Sequence, residues 1–247
     1  MIIKRFYKNN INTDIRFMEN IYNDSFIALV SEYATNDTYI GTGNPNAKIL
    51  IVGREGATDS IPEGEVSLAR KWLSKTQNNE AVNFKEYYNN LSEGHTWNKY
   101  QKLYNYIFEK EKRERNHFDF KEGFFTTEMN INRAKRTQGV STEGMEERKK
   151  TFFCHKFIQQ FPVVVLACGD YIKNNNNVRE IDEIFGVTFR NEVIAKQTEK
   201  KKYSFWIHRN ADESKLVIHT RQLSSDVPDE LLIKIADSIS EFFQSEK

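Results

Sequence analysis

The chain has 247 residues, 38% of them apolar and 29% charged, an ordinary soluble composition with enough length for one domain and a full core. Lys and Arg number 36 against 35 Asp and Glu, a net charge of +1, which argues against a surface basic all over and leaves a local basic patch as the route to nucleic acid. Two cysteines, Cys154 and Cys168, are too few for a disulfide scaffold or a four-thiolate metal or iron–sulfur site. Both sit among apolar neighbours, so buried, reduced thiols in a cytoplasmic protein are expected. No apolar run is long enough to span a bilayer, and the opening M-I-I-K-R-F-Y-K-N-N meets charge too early for a signal peptide. The expectation is a single domain over 1–247 with no membrane partner, no metal and no cofactor.

In chain order, Ile15, Met18, Ile21, Tyr22, Phe26, Leu29, Val30 and Tyr33 fall at helical spacing behind Thr13-Asp14 and predict an amphipathic helix over 13–33. Next comes I-G-T-G-N-P-N-A-K-I-L-I-V-G-R-E-G-A, Ile40 to Ala57, the stretch on which the chain turns. Its Lys48–Val52 run predicts a strand buried on both faces, broken by Gly53-Arg54-Glu55-Gly56-Ala57. A helix is predicted from Glu65 to Lys75. Another, marked by Trp97, Tyr100, Leu103, Tyr104, Ile107 and Phe108, is capped by Thr96 and runs out into a solvated charge run. Phe124–Asn130 reads as the second core strand, followed by the basic loop I-N-R-A-K-R-T-Q-G. A helix over 142–160 buries Phe152, Phe153, Phe157 and Ile158.

Strands are predicted at Val163–Ala167, Val187–Ala195 and Leu216–Ile218, with a half-buried alternating strand over Tyr203–His208 and a hairpin tip at Gln197–Lys202. Helices follow at Val178–Phe185 and from Asp226–Pro228 to the end. Buried runs alternating with helical patterns give an α/β fold, a three-layer α/β/α sandwich on a mainly parallel sheet.

The carboxyl ends of parallel strands are where such sheets bind ligands. Three core strands end in polar groups, so Glu55, Thr127, Glu128, Asn130 and His219 can line one crevice. A carboxylate near an imidazole supports activation of water, stabilisation of a cation or hydrogen bonding to a leaving group. The basic loop with Arg133, Lys135 and Arg136 can hold phosphates. Structural alternatives stand beside each of these. His219 can be a hydrogen-bonded structural histidine, Asn130 a loop cap and Glu128 a partner within the sheet, and the basic loop can be solvated. His117, His155 and His208 show no metal-ligand spacing. No Walker loop, G-x-G-x-x-G fingerprint after a strand or G-x-S-x-G elbow is present.

Four segments, in order, resemble the uracil-DNA glycosylase superfamily: Gly41 to Gly53, Phe124 to Asn130 (F-F-T-T-E-M-N), Phe161 to Gly169 (F-P-V-V-V-L-A-C-G) and Leu216 to Ser224 (L-V-I-H-T-R-Q-L-S). They cover about residues 40 to 225, with the N- and C-terminal helices packed on that core. The resemblance implies a central four-stranded, largely parallel sheet between helices, and hydrolysis of the N-glycosidic bond of a base flipped out of DNA. Set against the family form G-Q-D-P-Y-H, Glu55 falls on the catalytic aspartate and His219 on the histidine that hydrogen-bonds the departing base. Gly53, Arg54 and Gly56 frame the catalytic turn as substrate-binding positions. Thr127 falls on the base-reading asparagine, with Asn130 three residues on, and Ser224 on the serine that pinches the DNA backbone. Arg221, like Arg133, Lys135 and Arg136, is assigned to nucleic acid.

The chain departs from the family at Glu55, one methylene longer, at Gly56 in place of proline, and at Ala57 in place of the tyrosine that excludes thymine. The function expected is therefore a DNA-base N-glycosidase of altered base specificity, with DNA as partner. The alternatives are a catalytically silent nucleic-acid- or nucleotide-binding member, or an N-glycosidase for a small nucleoside-like substrate.

Overall fold

The computed structural model describes residues 21–55, 67–82, 95–109, 120–132, 139–224 and 226–245. Among them, Thr42–Gly43 (β1), Ile49–Gly53 (β2), Phe124–Glu128 (β3), Val163–Leu166 (β4), Thr188–Gln197 (β5), Lys202–Arg209 (β6) and Leu216–Thr220 (β7) form one sheet in the order β1-β3-β2-β4-β7-β6-β5. β3, β2, β4 and β7 are mutually parallel, while β1, β6 and β5 each pair antiparallel with their neighbours. β2 and β4 are aliphatic apart from the closing Gly53, and β2, β4 and β7 are buried along their whole length, as strands covered on both faces must be. In place of the expected four-stranded sheet there is a seven-stranded mixed one with four parallel strands at its centre. The other three strands are the β5–β6 hairpin, which pairs onto β7, and the two-residue β1, which pairs onto β3.

The helices are Asp24–Tyr33 (α1), Leu68–Asn78 (α2), His95–Ile107 (α3), Phe120–Gly123 (α4), Met145–Lys150 (α5), Lys156–Gln159 (α6), Glu180–Phe185 (α7) and Asp229–Ser245 (α8). The two-residue side-chain period of the strands splits the core into two layers. Leu50, Val52, Phe125, Val164, Leu166 and Val217 face α1, α2, α6 and α7, with Phe26, Trp72 and Phe157 at the centre. Ile49, Ile51, Phe124, Val163, Val165 and Ile218 face α3 and α8. Trp72 donates its indole N–H to the Gly41 carbonyl at 2.8 Å. Gly41 has φ +140° and lies so close to Thr126 and Phe125 that a Cβ would collide with both, which explains the glycine before β1.

Several boundaries differ from expectation. α1 begins at Asp24, because Asn23 caps it by accepting from the Phe26 N–H at 2.8 Å; residues 13–20 lie outside the described residues. The helix expected over 142–160 is two short helices with a turn between them. That turn aims both Phe152 and Phe153 into the core, and His155 Nδ1 then caps α6 by accepting from the Phe157 N–H. α3 starts at His95, so Thr96 lies inside it. β7 runs on to Thr220, which makes His219 a strand residue. Cys168 is buried as expected, with its thiol pushed up to about 12 by burial, but Cys154 is exposed in the turn after α5. No described helix is long and apolar enough to cross a membrane.

Candidate functional site at the carboxyl ends of the parallel strands

The parallel pairing brings four strand ends to one edge: Arg54-Glu55 after β2, Met129-Asn130 after β3, Ala167-Cys168-Gly169 after β4 and His219-Thr220 closing β7. Backbone hydrogen bonds carry the register past the strands, with Met129 N donating to Gly53 O at 2.9 Å, Asn130 N to Arg54 O at 2.8 Å and Ala167 N to Val52 O at 2.8 Å. The turn that holds Glu55 is therefore tied to the neighbouring strands.

Glu55 is only 9% exposed. Its carboxylate lies 3.9 Å from Arg54 Nε. The Arg54 guanidinium stacks 4.0 Å above the Tyr171 ring and donates to Asp170 Oδ1 at 2.8 Å. Burial would weaken this cation, yet Tyr171, Asp170 and Glu55 together hold its pKa above the usual arginine value. Burial, and next the Glu55 carboxylate, raise the pKa of the Tyr171 phenol, so it stays a neutral O–H beside a carboxylate. On the other side of the turn, Glu128 lays its carboxylate over the Cα of Gly53, where any Cβ would collide with it. A shielded carboxylate beside a guanidinium and a phenol can stabilise a developing cation or orient a water.

His219 is buried and fully engaged. Its Nε2–H donates to the Gly169 carbonyl at 2.8 Å, and Nδ1 accepts from Asn174 Nδ2 at 3.1 Å. Asn174 Oδ1 in turn accepts from Arg179 Nη1 at 2.9 Å, which orients the amide and so selects the tautomer. The ring stacks on Trp206 with centroids 5.3 Å apart. Burial lowers its pKa to about 4, so the imidazole is neutral at physiological pH. It joins Glu55 indirectly, through Gly169, whose Cα lies under the Arg54 guanidinium.

The other expected site residues are spent on structure. The Thr127 hydroxyl donates to Ile40 O at 2.8 Å and accepts from Arg148 Nη2 at 3.1 Å. Asn130 is wholly buried. Its amide donates to Ser141 O and accepts from the Asn132 backbone and side chain, pinning the loop after β3. Neither is positioned to read a base, because their polar atoms already have partners. Ser224 starts the turn into α8, its carbonyl accepting from Val227 N. Arg221 is half exposed and donates to Asp226 at 2.8 Å, a surface pair of small energetic worth that can exchange for another anion. Gly56, Arg133, Lys135 and Arg136 lie outside the described residues.

Sequence reasoning missed Asp170, Tyr171, Asn174 and Arg148. The first two follow a buried strand directly, so the strand-end argument applied to β4 as to its neighbours would have found them. No group of three or more His, Cys, Asp or Glu side chains among the described residues is arranged to hold a metal ion. No family model matches the chain, and no curated protein is significantly similar to it.

Proposed function

We propose that this chain is a divergent glycosylase-type N-glycosidase, with Glu55 the group that acts on the sugar and its attacking water. One observation carries the reading. The four segments that resemble the uracil-DNA glycosylase superfamily are the four mutually parallel strands, and their polar ends share one edge with the buried Glu55 carboxylate. Departure of a base leaves an oxocarbenium-like sugar, which a shielded carboxylate stabilises. Neutral Tyr171 and His219 are hydrogen-bond donors suited to charge developing on a leaving base, since a neutral donor stabilises an anion without giving up its proton. His219 takes that role only by releasing Gly169. Base specificity differs from the family pattern in this reading, because Thr127 and Asn130 have no free amide to offer.

The engagement of both His219 nitrogens favours a second reading, a catalytically silent member that binds nucleic acid or a nucleotide. Oligonucleotides containing uracil, hypoxanthine or a mismatch, and free nucleosides, separate the two. Base release by wild type, reduced at least about a hundredfold in Glu55→Gln, is the expected result. Absence of base release from every substrate, or full activity in Glu55→Gln, overturns the catalytic assignment and leaves binding.

A further inference from the structure

The geometry points to an oxyanion site at Arg148, one that takes a phosphate group. The residue lies on α5 among other cations, in M-E-E-R-K-K, and its side chain turns inward until only 4% of the residue is exposed. Lys149 beside it is neutralised by Glu146 and Glu180 at 2.7 and 3.0 Å. Arg148 has no such partner: among the described residues no carboxylate approaches it closely enough for an ion pair. Its Nε donates to Glu128 O at 3.0 Å and its Nη2 to Thr127 Oγ1 at 3.1 Å, both uncharged acceptors. Nη1 is buried with no hydrogen-bond partner among the described residues. A guanidinium carries five N–H donors, so most of its capacity is unused.

A buried charge without a counter-ion is costly. Desolvation is the largest influence on Arg148 and lowers its pKa to about 10, which still leaves it cationic at neutral pH. Stacking 3.7 Å from the Phe152 ring offsets part of that cost. The remaining electrostatic neighbours are the phenols of Tyr39 and Tyr33 and, after them, Glu128. By strand alternation Glu128 faces the opposite side of β3 from Thr127. What completes such a site is an oxyanion that can take the planar fork, and a phosphate dianion matches both the fork and the charge. Nη1 is closed to solvent in this conformation, so the anion enters by a local opening of the packing around Arg148. The site lies at the end of β3, on the same sheet edge as Glu55, and does not depend on the N-glycosidase reading.

Thermal denaturation of the full chain, titrated with inorganic phosphate against chloride at matched ionic strength, tests the assignment. A saturable, phosphate-specific rise in Tm is expected, as for any ligand that binds only the folded state. Arg148→Lys keeps the charge and loses the fork, and is expected to weaken phosphate at least about tenfold. A nucleoside 5′-monophosphate that binds more tightly than inorganic phosphate identifies a nucleotide as the source; equal affinity identifies free phosphate. Phosphate that stabilises wild type no more than chloride overturns the proposal, as does an unchanged phosphate response in Arg148→Lys. Glu55→Gln is expected to retain phosphate binding, so a failure of the N-glycosidase reading is distinguishable from a failure of this one.

Discussion

His219 owes its state to two neighbours, the Gly169 carbonyl that takes the Nε2 proton and the Asn174 amide that gives one to Nδ1. Reversing the second contact tests how firmly the tautomer is held. Asn174→Asp replaces a donor by an anionic acceptor, so Nδ1 is expected to become protonated and the pKa of His219 to rise from its depressed value. Nitrogen-15 shifts of the imidazole read both effects, and an unprotonated Nδ1 with an unchanged pKa would refute the tautomer assignment. Glu55 stands differently, 3.9 Å from a guanidinium that itself rests on the Tyr171 ring.

At the scale of the element, β2 ends against a side chain of its neighbour β3. Gly53 adopts ordinary backbone geometry, so no conformational demand selects glycine there; the Glu128 carboxylate above its Cα does. Gly53→Ala is expected to push the end of the flexible Glu128 side chain aside and to destabilise the fold by about 1 kcal/mol, measurable as a slightly lower urea midpoint. Gly53→Ala combined with Glu128→Ala should recover most of the loss. Wild-type stability in the single variant would mean that Glu128 swings away freely. The break between α5 and α6 shows a related principle. Helical periodicity marks Phe152, Phe153, Phe157 and Ile158 as one apolar face, yet burying adjacent phenylalanines costs the helix its continuity.

For the whole molecule, the buried bases set how stability depends on pH. The folded pKa of His219, about 4, lies below the usual histidine value of 6.5. The unfolded chain therefore binds more protons between those values, and the stability present above 6.5 is lost as pH falls towards 4. For His219 alone this is on the order of 3 kcal/mol. Burial lowers Lys121, packed 4.2 Å over the Trp97 ring, from 10.5 to about 6, so the sign is the same and the window runs from 10.5 down to 6. Urea midpoints followed from pH 4 to 9 at constant ionic strength are expected to rise throughout. Lys121→Met should flatten the upper part of that slope and stabilise the protein at pH 7, whereas a pH-independent wild-type midpoint would contradict both assignments.

Local pattern alone determined the α/β class, the buried strands and most helices, since period-2 and period-3.6 burial is written in neighbouring residues. It also marked Glu55 as a strand-end carboxylate, because a glycine-bounded apolar run announces its own end. Tertiary structure decided what no local pattern carries. Only the folded sheet shows that β1 and the β5–β6 hairpin extend it to seven strands, because pairing partners far apart in the chain leave no periodic trace. Thr127 and Asn130 looked available until their acceptors on Ile40 and Ser141 came within hydrogen-bond reach. Asp170, Tyr171 and Asn174 acquire meaning only from Arg54 and His219, which lie tens of residues away in sequence. An electrostatic site is a sum over neighbours in space, and its members are therefore legible one by one in the sequence but not as a set.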